Sequence, residues 1–124
     1  AQLDLKANKA NDTLTKPRIT GYLETLQALN PGATVTLNPD NGTLIEVTIT
    51  ANTTITLPES VAGVSYTMIA IFTGVFTLSF TGGTALQWAG GTAPTATSVN
   101  AKKDKYLFTC GTGYTLGQDS GRNF

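Results

Sequence analysis

The chain has 124 residues, which is enough for one compact domain but not for two. Eight Lys or Arg residues balance eight Asp or Glu residues, and there is no histidine, which excludes Ser-His-Asp and Cys-His catalysis and His-ligated metal sites within this chain. A net charge of zero without a basic run disfavours a nucleic-acid partner. No apolar run reaches the roughly 18 residues that span a bilayer, so we expect no membrane insertion.

The first residues have a coiled-coil rhythm. Leu3, Ala7, Ala10 and Leu14 are spaced 4, 3, 4, and mostly polar residues lie between them. This trace is shorter than two heptads, so the helix would be marginal on its own and is reasonable only as the end of a multistranded stalk. Pro17 ends it, because proline cannot continue a helix.

A connector follows the neck. Residues 22–29 place Tyr22, Leu23, Leu26 and Leu29 on one short helical face, which Asn-Pro-Gly at 30–32 ends. The sequence therefore predicts a helical neck and connector over residues 1–32 and a separate domain over 33–124.

From Ala33 onward the apolar residues recur at every second position, and threonine, which occurs 23 times in the whole chain, dominates the polar positions. The pattern predicts strands at 34–37, 44–50, 54–57, 64–72, 75–80, 85–88, 105–110 and 113–117. The segment 64–72 is apolar on both faces, which predicts a central strand. Turn residues at 38–42 and 51–52 predict hairpins. We therefore expect an all-β domain, a β-sandwich or jelly roll of about eight antiparallel strands.

No group of side chains in the sequence indicates catalysis. Glu46 lies on the outward side of a strand, Asp40 lies in a turn, Asp104 stands among lysines, and Asp119 follows a glycine-rich segment. Cys110 has no cysteine to pair with and sits in an apolar strand, so we expect a buried thiol. We assign no catalytic residue, no metal ligand and no cofactor.

The Thr- and Gly-rich loop region 81–100 is the first place to look for binding, because long loops on a rigid β-domain usually carry it. Trp88 either stacks on a sugar with the Gln87 amide beside it or anchors its own loop. Tyr114, in a predicted hairpin beside two glycines, is the more exposed tyrosine, whereas Tyr106 on an alternating strand belongs to the core. The candidate ligand residues are Trp88, Gln87 and Tyr114.

Several segments together resemble the C-terminal region of tail fibre proteins of tailed bacteriophages and prophages. They are the KAN segment at 6–8, TLTKP at 13–17, Gly21 with Glu24, and WAGGTAPT at 88–95. The final strand differs from the pattern of that family, since it reads CGTGYTLG and lacks a second tryptophan.

The resemblance implies a homotrimer in the extracellular tail of a virion, with a short neck and a β-knob at the distal end. Its partners would be an upstream fibre or baseplate protein and a bacterial surface polysaccharide or lipopolysaccharide. Leu3, Ala7, Ala10 and Leu14 would form the trimer neck. The main hypothesis is a non-enzymatic receptor-binding tip. Two alternatives are a structural virion module that does not contact the host and the terminal fragment of a depolymerase.

Overall fold

Nine β-strands and one turn of 3-10 helix form the regular structure of this computed structural model, which describes residues 16, 18, 20–74 and 77–124. The strands are β1 Leu26–Leu29, β2 Thr34–Thr36, β3 Leu44–Thr48, β4 Thr53–Leu57, β5 Tyr66–Thr73, β6 Leu78–Gly82, β7 Leu86–Trp88, β8 Lys103–Gly111 and β9 Tyr114–Gly121. The 3-10 turn is Pro39–Asn41. No helix among these residues is long and apolar enough to cross a membrane. The all-β prediction is confirmed.

The first six strands alternate between two sheets. The strands β1, β3 and β5 lie side by side in parallel in a six-stranded sheet of order β1-β3-β5-β8-β9-β7. The strands β2, β4 and β6 form a three-stranded parallel sheet. Parallel neighbours need a crossover connection. Among these six strands, the connection between two neighbours of one sheet contains a strand of the other sheet; β2, for example, lies between β1 and β3 in the chain.

The antiparallel part is confined to the end of the chain. The strand β8 pairs antiparallel with both β5 and β9, whereas β7 pairs with β9 in parallel. The β8–β9 hairpin turns at Thr112 and Gly113, where Gly113 has a φ of 79° that favours glycine. This hairpin was predicted from the glycines and is confirmed.

Both sheets contribute to one hydrophobic core. It is built from the inward positions of the strands and from the residues that follow β2 and β3. Its members are Leu37, Ile45, Val47, Ile49, Ile55, Leu57, Met68, Ala70, Phe72, Tyr106, Phe108 and Cys110. The predictions that Cys110 is buried and that Tyr106 belongs to the core are confirmed. The strand β5, predicted to be central, lies between β3 and β8.

Three sequence predictions were wrong. Residues Leu26–Leu29 form a strand paired with β3 rather than one face of a helix, because tertiary pairing overrides the weak helical spacing of three leucines and a tyrosine. Residues 38–42 and 51–52 are not hairpin turns, since they carry the chain from one sheet to the other. Five of the seven strand pairs are parallel, because period-two alternation fixes which face is buried but not which strand is the neighbour.

The predicted neck lies outside this description. Leu3, Ala7, Ala10 and Leu14 are not among the described residues, and neither is Phe76 of the predicted strand 75–80.

Gly42 provides a test of the crossover between β2 and β3. Its φ is 135°, and a β-carbon there would clash with the carbonyl oxygen of Thr25. We expect Gly42→Ala to lower the free energy of unfolding by about 1–3 kcal/mol, because both the backbone angle and the close approach disfavour a side chain. Urea denaturation measures this change.

Gly32→Ala is the matched control. No atom lies within 4 Å of a β-carbon at Gly32, so this variant should stay within about 0.5 kcal/mol of the wild type. Equal stability of the two variants would contradict the crossover geometry.

Candidate functional site

Trp88 belongs to a cluster of five aromatic rings under the six-stranded sheet. Its ring makes edge-to-face contacts with Phe80 at 5.1 Å, Phe108 at 5.8 Å and Tyr106 at 6.2 Å between ring centroids. It also lies over Gly117, where an added β-carbon would come within 2.6 Å of the ring. Such ring pairs stabilise a core beyond their buried area. Through these contacts Trp88 anchors the edge strand β7 to the hydrophobic core.

Gln87 and Tyr114 lie on the opposite face of the sheet from Trp88. Gln87 is exposed and pairs with Leu116, and neighbouring residues of a strand point to opposite faces. Tyr114 is 49% exposed, as predicted, and its ring covers Gly111. The structure therefore does not bring the three candidate ligand residues together on one surface.

The loop region 89–102 is held by a buried carboxylate. Asp104 on β8 accepts hydrogen bonds from the Thr97 backbone N–H at 2.6 Å, the Thr97 hydroxyl and the Asn123 backbone N–H at 3.0 Å. Arg122 donates to the Thr95 carbonyl oxygen, which ties the same loop to the end of the chain. Asp104 stands among lysines in the sequence, but it lies on β8, is 4% exposed and fastens the loop region 89–102 to the sheet.

The pKa of Asp104 reflects these contacts. Burial raises the pKa of this carboxyl, but the hydrogen bonds from Thr97 and Asn123, with the nearby Arg122 charge, outweigh burial and lower it below its ordinary value. The ionised form is therefore stabilised by folding.

Part of this loop lines an open groove of about 420 Å³ beside β6. The described residues that line it carry no charge and are Thr77, Leu78, Ala93, Pro94, Thr95, Ala96 and Ser98. Hydroxyls and backbone groups are the polar partners that this groove offers.

A second groove of about 420 Å³ lies at the end of the parallel sheet where β2 and β4 finish. We call it the acidic groove. It is lined by Asn38, Pro39, Asp40, Thr43, Pro58, Glu59, Val61, Val64 and Tyr66. Asp40, Glu59 and Tyr66 contribute two carboxylates and a phenol to this lining, and among the described residues no lysine or arginine lines the groove. Val61 and Val64 are 59% and 47% exposed and give it an apolar side.

The parallel register explains why these residues meet. Thr36 pairs with Thr56, so the segments that follow β2 and β4 leave the sheet side by side. Asn38 accepts a hydrogen bond from the Asp40 backbone N–H at 3.0 Å and begins the 3-10 turn. The Gln27 side chain, buried beneath this crossover, donates to the Asn38 carbonyl oxygen at 2.9 Å and so fixes its position.

The third parallel strand supports the other carboxylate. Thr84, just beyond β6, donates its hydroxyl to Glu59 at 2.6 Å and accepts the Ser60 N–H at 2.9 Å. Burial first, and then a hydrogen bond and charge interaction with Cys110 and the charge of Asp40, together raise the pKa of Tyr66 to about 12. The phenol therefore keeps its proton at neutral pH and can donate it in a hydrogen bond.

This arrangement is suited to holding a hydroxyl-rich molecule. Carboxylates accept hydrogen bonds from hydroxyl groups, the phenol donates or accepts, and the proline and valine side chains provide apolar contact. Sequence reasoning placed Asp40 in a turn and did not single out Glu59 or Tyr66. These residues become neighbours because β2 pairs in parallel with β4. The alternation of apolar and polar residues in the sequence does not indicate that pairing.

Comparisons with protein-family models, with curated proteins and with solved structures found no match to this chain.

Asp104→Asn tests the fastening of the loop. An amide keeps the shape but loses the charge-assisted hydrogen bonds, so we expect a loss of about 2 kcal/mol in the free energy of unfolding at pH 7. Because folding lowers the pKa of Asp104, its contribution is present above the ordinary value of 3.8 and is lost as the pH falls below it. The gap between wild type and variant should therefore narrow below about pH 4, which thermal unfolding at several pH values measures.

Asp119→Asn is the control, because Asp119 is exposed, forms a surface ion pair with Arg122 at 3.3 Å and accepts a local hydrogen bond from the Gly121 backbone N–H at 3.1 Å. It should cost less than about 1 kcal/mol. A gap for Asp104→Asn that does not depend on pH would contradict the role assigned to this carboxylate.

Proposed function

We propose that this chain is the end module of a bacteriophage tail fibre and that it attaches the virion to a saccharide on the bacterial surface without cleaving it. The observation that carries the proposal is the acidic groove, where the Asp40 and Glu59 carboxylates and the Tyr66 phenol stand beside exposed valines. The segments KAN, TLTKP and WAGGTAPT supply the link to tail fibres. In this proposal the module is extracellular and follows an upstream fibre or baseplate protein.

The charge of the groove indicates the class of saccharide. Asp40 and Glu59 would repel uronic acids and other anionic sugars, and in the part of the chain that the structure describes no lining lysine or arginine offsets these charges. Neutral or amino-bearing sugars of a surface polysaccharide or lipopolysaccharide fit better. Single sites of this kind are weak, and several copies on one virion would raise the effective concentration of the next contact.

The finer description of the fold also belongs to this proposal. The two sheets share one core, which supports a β-sandwich knob, but the parallel pairs do not support a jelly roll. The proposed knob forms a homotrimer, as the resemblance implies. Its neck would place Leu3, Ala7, Ala10 and Leu14 along a common seam.

A saccharide-binding experiment tests the groove. Asp40→Asn and Glu59→Gln should each weaken the binding of neutral host oligosaccharides about tenfold or more, since each removes a charged acceptor. Titration calorimetry measures the affinity, and chromatography of the incubated saccharide should show no shorter products. Asp119→Asn, a carboxylate away from the groove, is the matched control.

Two results would contradict this proposal. If the Asp40→Asn, Glu59→Gln double variant binds the saccharide as tightly as the wild type, the acidic groove is not the binding site. If the assembled wild-type protein binds no saccharide of a susceptible host, the proposed attachment function is wrong.

The structural virion module is the second candidate, and the contacts of Trp88 favour it. In that case the WAGGTAPT segment stabilises the knob and touches no host molecule. We expect Trp88→Ala to lower the free energy of unfolding by about 3–5 kcal/mol, because it opens a cavity beside Phe80 and Phe108.

Virion adsorption separates the two candidates. Fibres with Asp40→Asn and Glu59→Gln should adsorb poorly if the module binds the host, and normally if the module is only structural.

Gln87→Ala is the control for the stability measurement on Trp88→Ala. Gln87 is next to Trp88 but exposed, so this variant should keep the free energy of unfolding within about 0.5 kcal/mol of the wild type.

A further inference from the structure

The three-stranded sheet turns a layer of hydroxyl groups away from the core. On each of its strands, one apolar residue that packs in or against the core stands between two residues with hydroxyl side chains. Successive side chains of a strand point to opposite faces, so these hydroxyls lie on the outer side of the sheet. All six residues are exposed or half-buried. We call them the hydroxyl face, and they are Thr34, Thr36, Thr54, Thr56, Ser79 and Thr81.

The parallel register aligns the hydroxyl face in two rows that cross the sheet. Thr34 pairs with Thr54, which pairs with Ser79, and the residues two positions further along form the second row. Neighbouring strands lie about 4.8 Å apart, and residues two positions apart on a strand lie about 6.6 Å apart. The Thr54 and Ser79 hydroxyls form a hydrogen bond of 3.0 Å. Backbone pairing therefore holds these groups in place before a ligand arrives, which lowers the entropic cost of binding.

A groove lies at each end of the hydroxyl face. Asn38 and Pro58 line the acidic groove, and each stands two positions beyond a threonine of the second row. At the other end Thr77, two positions before Ser79, lines the groove beside β6. We call this cavity the neutral groove. The two grooves, of about 420 Å³ each, are therefore connected by the rows of hydroxyls.

No charged side chain among the described residues belongs to the hydroxyl face or the neutral groove. A threonine offers a hydroxyl that donates and accepts hydrogen bonds, and a methyl group for apolar contact. From Thr77 to Thr81 the path is four residues long, which is about 13 Å and exceeds the width of one sugar ring. The path is therefore suited to an uncharged, hydroxyl-rich chain of several sugars.

We propose that the ligand is a linear saccharide chain with one end in the acidic groove, and that its further, uncharged sugars lie along the hydroxyl face toward the neutral groove. The inference rests on the proposed function and deepens it, because it names a polymer as the ligand and adds the surface that contacts it. The central strand β4 contributes Thr54 and Thr56, which every such chain would cross.

Saccharide fragments of increasing length test the path. The probe is the surface polysaccharide of a susceptible host, cut into fragments of defined length, and titration calorimetry measures each affinity. We expect the affinity to rise once a fragment is longer than the acidic groove, because the added sugars meet hydroxyls that are already in place. Equal affinity for short and long fragments would overturn the inference.

Removing two hydroxyls from β4 locates the added contacts. The double variant Thr54→Val, Thr56→Val keeps the branched shape of both side chains. It should bind long fragments about tenfold more weakly than the wild type, because two hydrogen bonds are lost, and short fragments equally well. The matched control is Thr48→Val, Thr67→Val, at exposed threonines of the six-stranded sheet, and it should bind both kinds of fragment as the wild type does.

Threonine methyl signals in NMR spectra of the wild type give a second measurement that needs no variant. Short fragments should shift the signal of Thr43, which lines the acidic groove. Long fragments should also shift the signals of Thr54 and Thr56. Shifts confined to Thr43 with long fragments would overturn the path, and so would a Thr54→Val, Thr56→Val variant that binds long fragments as tightly as the wild type.

The outcomes distinguish this inference from the proposed function. If short fragments bind and Asp40→Asn weakens them, but greater length adds no affinity, the attachment function stands and the path along the hydroxyl face is wrong. If fragments of every length fail to bind the assembled protein, the attachment function is wrong and the inference that rests on it is wrong as well.

Discussion

The parallel register of the two sheets is the constraint on which the rest of this structure depends. Because β1, β3 and β5 stack in one sheet and β2, β4 and β6 in the other, each crossover lies beside the next one. Backbone pairing fixes this stacking to within one residue, since a slip would turn every buried side chain outward. The acidic groove follows from that register.

The aromatic cluster closes the core at the antiparallel end. Phe80 reaches it from the three-stranded sheet, whereas Tyr106 and Phe108 come from β8, and Trp88 covers the last pair of strands. These rings join the two sheets where parallel stacking has ended. A tryptophan so placed contributes to the stability of the core.

The charged side chains of this neutral chain are unevenly placed. The described residues that line the acidic groove include two carboxylates, Asp40 and Glu59, and no lysine or arginine. Elsewhere the buried Asp104 carboxylate holds the loop region 89–102 and lies near the positive charge of Arg122. An open groove with carboxylates, a phenol and exposed valines can take up a hydroxyl-rich ligand, and the proposed attachment function rests on that chemistry.

The sequence by itself determined the all-β class, the approximate position of the strands and which side of each strand is buried, as Ile45, Val47, Tyr106 and Phe108 show. Alternation carries that information because successive side chains of a strand point to opposite faces. Only the tertiary structure decided the parallel pairing, the strand at Leu26–Leu29 and the meeting of Asp40, Glu59 and Tyr66. Strand partners are chosen by the packing of the whole core and not by any local pattern, so a groove made between crossovers was not visible before the sheets were known.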